Sequence, residues 1–326
     1  MNSKRVNWLF LCLVSIDVVE LLLMAVFYLL FQKGFDIPIA AGLILSQAMI
    51  MIPTLLFMLD AKRKPVTGSF NEMLGFHKIK ISSFFMTILF TFLCMPLASA
   101  LNAISMLFVE NTVNAISDEV LQMPFILMLF LIGIFGPFCE EFVFRGVIFR
   151  GYKNSGPVFW SVFWSGLLFG LMHLNFNQAP YAFALGIMFA LLVEATGSLW
   201  SSAIAHMVVN SQQVCLMYLL KYLLKYLPDS DTFGTMTQGD LIGMIGPYLI
   251  MAAIATPLAV CVLFWLAKNE GREDKWKNIW ACRKEKREKF ISIPLIIAIV
   301  LGFAYMMGWI MYLAEWIIGL KLGNPN

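Results

Sequence analysis

MPFILMLFLIGIFGPFCEEFVFRGVIF, residues 123–149, decides how this chain must be read. It is apolar throughout except for Glu140, Glu141 and Arg145. A run of this length is enough to span a bilayer, which takes ~20 residues at 1.5 Å rise. Each charged side chain carried to bilayer depth costs roughly 2.5–3.5 kcal/mol on insertion scales. Three of them inside one span therefore mark a functional site or a buried charge network, and the rest of the sequence has to say which.

Composition fixes the solvent. Of 326 residues, 60% are hydrophobic and only 13% charged, and the mean hydropathy is +0.80. A soluble domain carries nearer a quarter charged residues, so the expectation is an all-α polytopic membrane bundle. Apolar runs near 8–31, 37–59, 82–108, 123–150, 157–175, 179–195, 198–220, 245–267 and 291–314 give about eight to nine spans. Met1–Arg5 followed by Trp8–Phe31 has the outline of a signal peptide, but the apolar part is too long and no small-residue cleavage site closes it. It is read as a first membrane helix with Trp8 as an interfacial anchor. The 29 Phe and 21 Met are packing and lipid-facing surface. Cys12, Cys94, Cys139, Cys215, Cys261 and Cys282 show no paired spacing, and the five in apolar runs are expected to be buried, inert thiols.

Loop charge orients the spans. Lys4–Arg5, Lys62–Lys80, Arg150–Lys153 and Lys268–Lys289 are basic, whereas the loops around Glu110–Glu119 and Asp229–Asp240 are acidic or weakly charged. Their alternation predicts a cytoplasmic amino terminus and an external carboxyl terminus. The 268–289 segment, with Trp276 and Trp280 among mixed charges, reads as a topology-setting loop, with a place on anionic headgroups as the second reading.

The remaining polar residues in the apolar runs can be compared by depth. From the turn near Asn154, Glu140 lies roughly 21 Å back along its helix and His173 roughly 29 Å forward along the next. From the turn near Gly197, His206 and Asn210 lie roughly 14 and 20 Å in. All four can meet in one layer of the membrane. Glu141 and Arg145 are i,i+4 and can pair, while Glu140 points about a third of a turn away. His206 and Asn210 share a face, and Phe169 lies one turn from His173. A carboxylate and an imidazole can activate water; a second imidazole and an amide can hold an oxyanion. The competing reading of membrane carboxylates is an ion or proton path, and single histidines or asparagines commonly do no more than join helices. Glu194 is expected to snorkel or to sit in a loop, His77 has no assigned role, and Asp17 and Glu20, one turn apart in the first span, are buried polar contacts or face a water-filled cavity.

EEFVFRG at 140–146, FGLMH at 169–173 and HMVVN at 206–210, the last preceded by TGSLW at 196–200, resemble in order and spacing the three motifs of the CPBP family of intramembrane proteases. That family includes the type II CaaX prenyl protease and bacteriocin-processing or immunity-associated relatives. The resemblance covers roughly 120–220 and divides the chain into N-terminal membrane helices (1–118), a catalytic helical core (119–222) and C-terminal membrane helices with a basic loop (223–326). It implies that Glu140 and His173 activate the attacking water, that His206 and Asn210 stabilise the tetrahedral intermediate, and that Glu141 and Arg145 support them. No HExxH is present and no cofactor is expected, with a zinc ion on Glu140, His173 and His206 as the alternative. The expected partners are the bilayer and a membrane-associated or lipidated peptide or protein; no nucleic acid is expected. A transporter, or a non-catalytic immunity or scaffold protein built on the same polar cluster, is the alternative function. Brief loops point to a bacterial cytoplasmic membrane, where a prenylated substrate is not expected.

Overall fold

The computed structural model describes residues 2–31, 37–62, 72, 74–224, 226, 238–284 and 289–322. Its elements are helical, with no strand among the described residues. In chain order we label them α1 (Ser3–Phe31), α2 (Ile39–Lys62), α3 (Ile81–Met106), α4 (Thr112–Gln122), α5 (Phe125–Lys153), α6 (Val158–Met172), α7 (Ala179–Thr196), α8 (Leu199–Leu224), α9 (Gln238–Asn269), α10 (Glu273–Ala281), α11 (Ile293–Met306) and α12 (Trp309–Leu322). Seven of these, α1, α2, α3, α5, α7, α8 and α9, are long and apolar enough to cross a membrane, and α6 and α11 are shorter apolar helices. The chain is an integral membrane protein, a polytopic helical bundle.

Two apolar cores flank the centre. On one side α1 packs on α11 and α12 and against the second half of α5, through Phe10, Leu13, Phe144 and Tyr152. On the other, α3 lies along α9, both pack on α7, and α3 also packs on α8, through Phe90, Phe189 and Leu263. Helices α5 to α8 lie between. Asn7 ties the start of α1 into this arrangement, accepting from Tyr152 Oη at 2.5 Å and donating to Phe290 O at 2.7 Å.

Close backbone approach joins α6 to α7. A Cβ added at Gly166 would lie 2.9 Å from Ile187 N, and one at Gly170 would lie 2.7 Å from Ala179 O. Small residues four apart on a helix allow this packing where no hydrophobic force drives helices together in lipid. The turn that follows α6 is held by side chains. Leu174 takes a left-handed backbone with φ +51°, and Asn175 donates to His173 O at 2.9 Å while accepting from Gln178 N at 2.7 Å. Asn177 then donates to Asn102 and Ser105 on α3, each at 3.0 Å.

Four expectations are corrected. The apolar run 291–314 is two helices, because Gly308 at φ +71° turns the chain after α11. The segment around Glu110–Glu119 carries α4, whose end is pinned to α8 by Tyr218 Oη donating to Val120 O at 2.7 Å. Glu194 neither snorkels nor lies in a loop: it is 2% exposed and pairs with Lys153 and with Arg272, the latter at 3.2 Å. Of the five cysteines expected to be buried, Cys12, Cys215 and Cys261 lie on the outer surface, and none of the six forms a disulfide. Within 268–289 the chain forms α10, which buries Trp276 and Ile279 against its neighbours. Residues 63–71 of the basic loop, 227–237 of the acidic one and 285–288 lie outside the described residues.

Candidate active site

Helix α5 is not regular. It widens into π-helical turns at 129–135 and again at 142–149, so that a short α-helical piece, Gly136–Glu141, lies between them. Pro137 explains the first. Its ring nitrogen carries no hydrogen, and Gly136 N–H reaches back five residues to Leu131 O. The carbonyls that an N–H at 137 would have met, Ile132 O and Gly133 O, are taken instead by α8. Asn210 Nδ2 donates to Ile132 O and Ser211 Oγ to Gly133 O, both at 3.2 Å. In lipid, freed backbone groups must be satisfied by neighbouring helices, and here that requirement locks α8 onto α5 beside the two glutamates.

The consecutive glutamates have different surroundings. Glu141 is fully buried, with 0% side-chain exposure, and accepts from Arg145 Nη1 at 2.7 Å. It also accepts from His206 Nδ1 at 3.1 Å. Arg145, equally buried, donates through Nη2 to Gly186 O at 3.0 Å and stacks on Phe169, its Cζ 4.3 Å from the ring centre. The glycine-mediated approach of α6 and α7 is what brings both the Gly186 carbonyl and Phe169 to this guanidinium. Glu140 keeps 23% of its side chain exposed, and its contact to His206 Nε2 is 4.0 Å.

The two imidazoles are oriented by their other nitrogens. His173, at the end of α6, makes a 2.9 Å contact from Nδ1 to Phe169 O. A carbonyl only accepts, so Nδ1 carries the proton and Nε2 presents its lone pair. His206 spends Nδ1 on the Glu141 carboxylate, leaving Nε2 toward Glu140. Its ring is wedged between Phe169 and Phe189, with centroid distances of 5.6 and 5.4 Å.

Glu140, His173, His206 and Asn210 line one cavity of about 230 Å³. Gln178, Tyr181 and Gln213 line it too; none of these stands out in the sequence, because the two glutamines end short polar stretches at 175–178 and 210–213 and Tyr181 lies in an apolar helix. A second cavity, about 430 Å³, meets the other side of Glu140 and His173. Among the described residues no group of three or more His, Cys, Asp or Glu side chains is gathered so as to hold a metal ion. Glu140, His173 and His206 do not form such a set.

The family of type II CAAX prenyl endopeptidases of the Rce1-like kind matches residues 122–212. Among curated proteins, the putative membrane peptidase YdiL of Bacillus subtilis is 30% identical over 132 residues, 40% of this chain and 52% of the relative. The membrane-embedded CAAX protease MroQ of Staphylococcus aureus is 32% identical over 113 residues, 33% of this chain and 46% of the relative. The chain thus spans about half the length of the curated relatives it matches. No solved structure matches it. Residues 122–212, which hold all three motifs and every residue of the buried charge cluster, are thus similar to the Rce1-like family of type II CAAX prenyl endopeptidases.

Proposed function

We propose that this protein is an intramembrane endopeptidase that hydrolyses membrane-associated peptides or proteins through a glutamate- and histidine-activated water. The observation that carries the reading is the convergence of Glu140, His173, His206 and Asn210 on one cavity from three helices. The names of the matched relatives, a membrane peptidase and a CAAX protease, support it.

The mechanism follows from which atoms are free. Water held between the Glu140 carboxylate and His173 Nε2 gives its proton to Glu140 and attacks the scissile carbonyl carbon. The carbonyl oxygen becomes an oxyanion. His206, with a proton on Nε2, donates to that oxygen, while its Nδ1–H stays on Glu141. The second N–H of the Asn210 amide, the one not used on Ile132, is the other donor. Collapse of the intermediate breaks the C–N bond, and Glu140 returns its proton to the leaving amine. With His206 as an imidazolium, Glu140, Glu141, Arg145 and His206 sum to zero charge, the arrangement least costly in a dry interior. Glu141 and Arg145 act as positioning residues: they fix the His206 ring and do not touch the substrate.

The test compares membranes from cells making the wild type or Glu140→Gln. The substitution keeps size and one acceptor oxygen but removes the base, which contributes roughly 10²–10⁴-fold in rate. New peptide termini, read by mass spectrometry, should arise only with the wild type. An identical set of termini from both proteins would sink the protease reading.

A further inference from the structure

Resting on the protease reading, we propose that the cavity on the α1–α2 side of Glu140 and His173 is a substrate subsite for a positively charged group, an ammonium or guanidinium of the peptide, held by Asp17 and Glu20. The cavity, about 430 Å³, shares Glu140, Phe169 and His173 with the site cavity. An occupant therefore lies directly beside the point of attack.

The wall of this cavity is one-sided in its chemistry. Asp17 and Glu20, three apart on α1, share a face, and Ser46 and Gln47 from α2 stand with them. No lysine or arginine is among the described residues that line it. Two acceptor oxygens from two different helices, Asp17 Oδ2 and Gln47 Oε1, are buried with no hydrogen-bond partner. A buried acceptor without a donor is costly. What satisfies both, and balances the carboxylates, is a group with several donors and a positive charge, which is what lysine and arginine side chains carry. Gln47 lies against α5, its Nε2 3.6 Å from where a Cβ at Gly136 would stand.

Access has the matching character. Glu20 also borders an apolar groove of about 690 Å³ between α1 and α2, lined by Ile16, Leu23, Leu45 and Met49 among others. A basic side chain can lay its methylene stem along such a surface and keep its head on the carboxylates. Asp17, Glu20, Ser46 and Gln47 all lie outside residues 122–212, so this subsite belongs to the flanking helices and is free to differ among proteins that share the three motifs.

The experiment uses purified full-length protein in nanodiscs with quenched fluorescent peptide pools that carry lysine, norleucine or glutamate at each position in turn. Norleucine keeps the stem and removes the charge. At one position near the cut, wild type should favour lysine over norleucine by roughly 10- to 100-fold, the range of a charge-assisted contact. In Asp17→Asn/Glu20→Gln that ratio should fall toward one, and Glu20→Lys should turn the preference toward glutamate. Because each ratio is taken within one protein, a loss of folded material cancels. A ratio of one in wild type overturns the subsite. So does a variant that slows lysine and norleucine peptides equally, which would assign the cavity to supplying water. Binding is read separately, as fluorescence anisotropy of the same peptides on Glu140→Gln. Tighter binding of the lysine peptide that vanishes with Asp17→Asn/Glu20→Gln supports the subsite even if wild type cuts no peptide, an outcome that would count against the protease reading alone. Equal binding of lysine and norleucine peptides overturns the subsite whatever the protease does.

Discussion

Arg145→Ala tests whether the buried charge cluster is held together as described. Both members of the Arg145–Glu141 pair have 0% side-chain exposure, so solvent does not screen them. Removing the guanidinium leaves the buried Glu141 carboxylate without its full positive counter-charge though still bonded to His206, frees the Gly186 carbonyl, and empties the face of Phe169. Removing one partner of a buried pair costs about 3–5 kcal/mol, and the lost stack adds to the same side of the balance. Replacing both partners by apolar side chains of similar volume leaves no stranded charge and is close to neutral. Arg145→Ala and Glu141→Leu should therefore each destabilise strongly, whereas Glu141→Leu/Arg145→Met should destabilise far less than the two single effects summed. Unfolding in mixed micelles titrated with SDS, followed by circular dichroism, measures all the variants. Activity per folded molecule is the companion readout, since a positioning residue changes the folded yield of Arg145→Ala more than the chemistry of what folds. Single effects that add to within about 0.5 kcal/mol would refute the coupling. A stable, well-folded and inactive Arg145→Ala would move the arginine into the chemistry.

Two more outcomes follow. Asn210→Ala should slow turnover by roughly 10²–10³-fold, as for one oxyanion donor, and should also destabilise by about 1–3 kcal/mol because Ile132 O loses its donor; adding Pro137→Ala, which restores a backbone N–H, should recover stability but not rate, and recovery of both in an activity assay would make Asn210 a helix joint alone. Activity should survive exhaustive chelation with no stoichiometric zinc in the purified protein, and loss restored by added zinc would refute the metal-free mechanism.

The bundle and the depth of its polar groups were legible because charge in oil is costly and helical rise is fixed. Those two facts alone direct Glu140, His173 and His206 to one layer, and i,i+4 spacing joins Glu141 to Arg145. What the sequence withholds is which helix stands beside which. Asp17 and Glu20 precede Glu140 by more than a hundred residues, and no spacing rule connects α1 to α5. Glu194 reads as an end-of-helix charge until Arg272, far along the chain, is found over it. Gly308 is one glycine among 22, and only its left-handed backbone separates α11 from α12.

Pro137 connects the local sequence to the site geometry. In an ordinary helix two consecutive glutamates point about 100° apart, and a regular α5 would offer α8 no open carbonyls. The proline removes one N–H, the turn before it widens, and two carbonyls fall open toward α8. Asn210 and Ser211 meet them, which sets the height of His206, one turn earlier on the same helix face as Asn210, against Glu141. His206 can then turn its Nε2 toward Glu140 only because Arg145, anchored on Gly186 O and Phe169, shares Glu141 and holds that carboxylate in place. The division of labour between the two glutamates, one locked and one free, is therefore a consequence of backbone hydrogen bonding in lipid. A residue with an N–H at 137 should loosen the α5–α8 register before it changes any catalytic side chain.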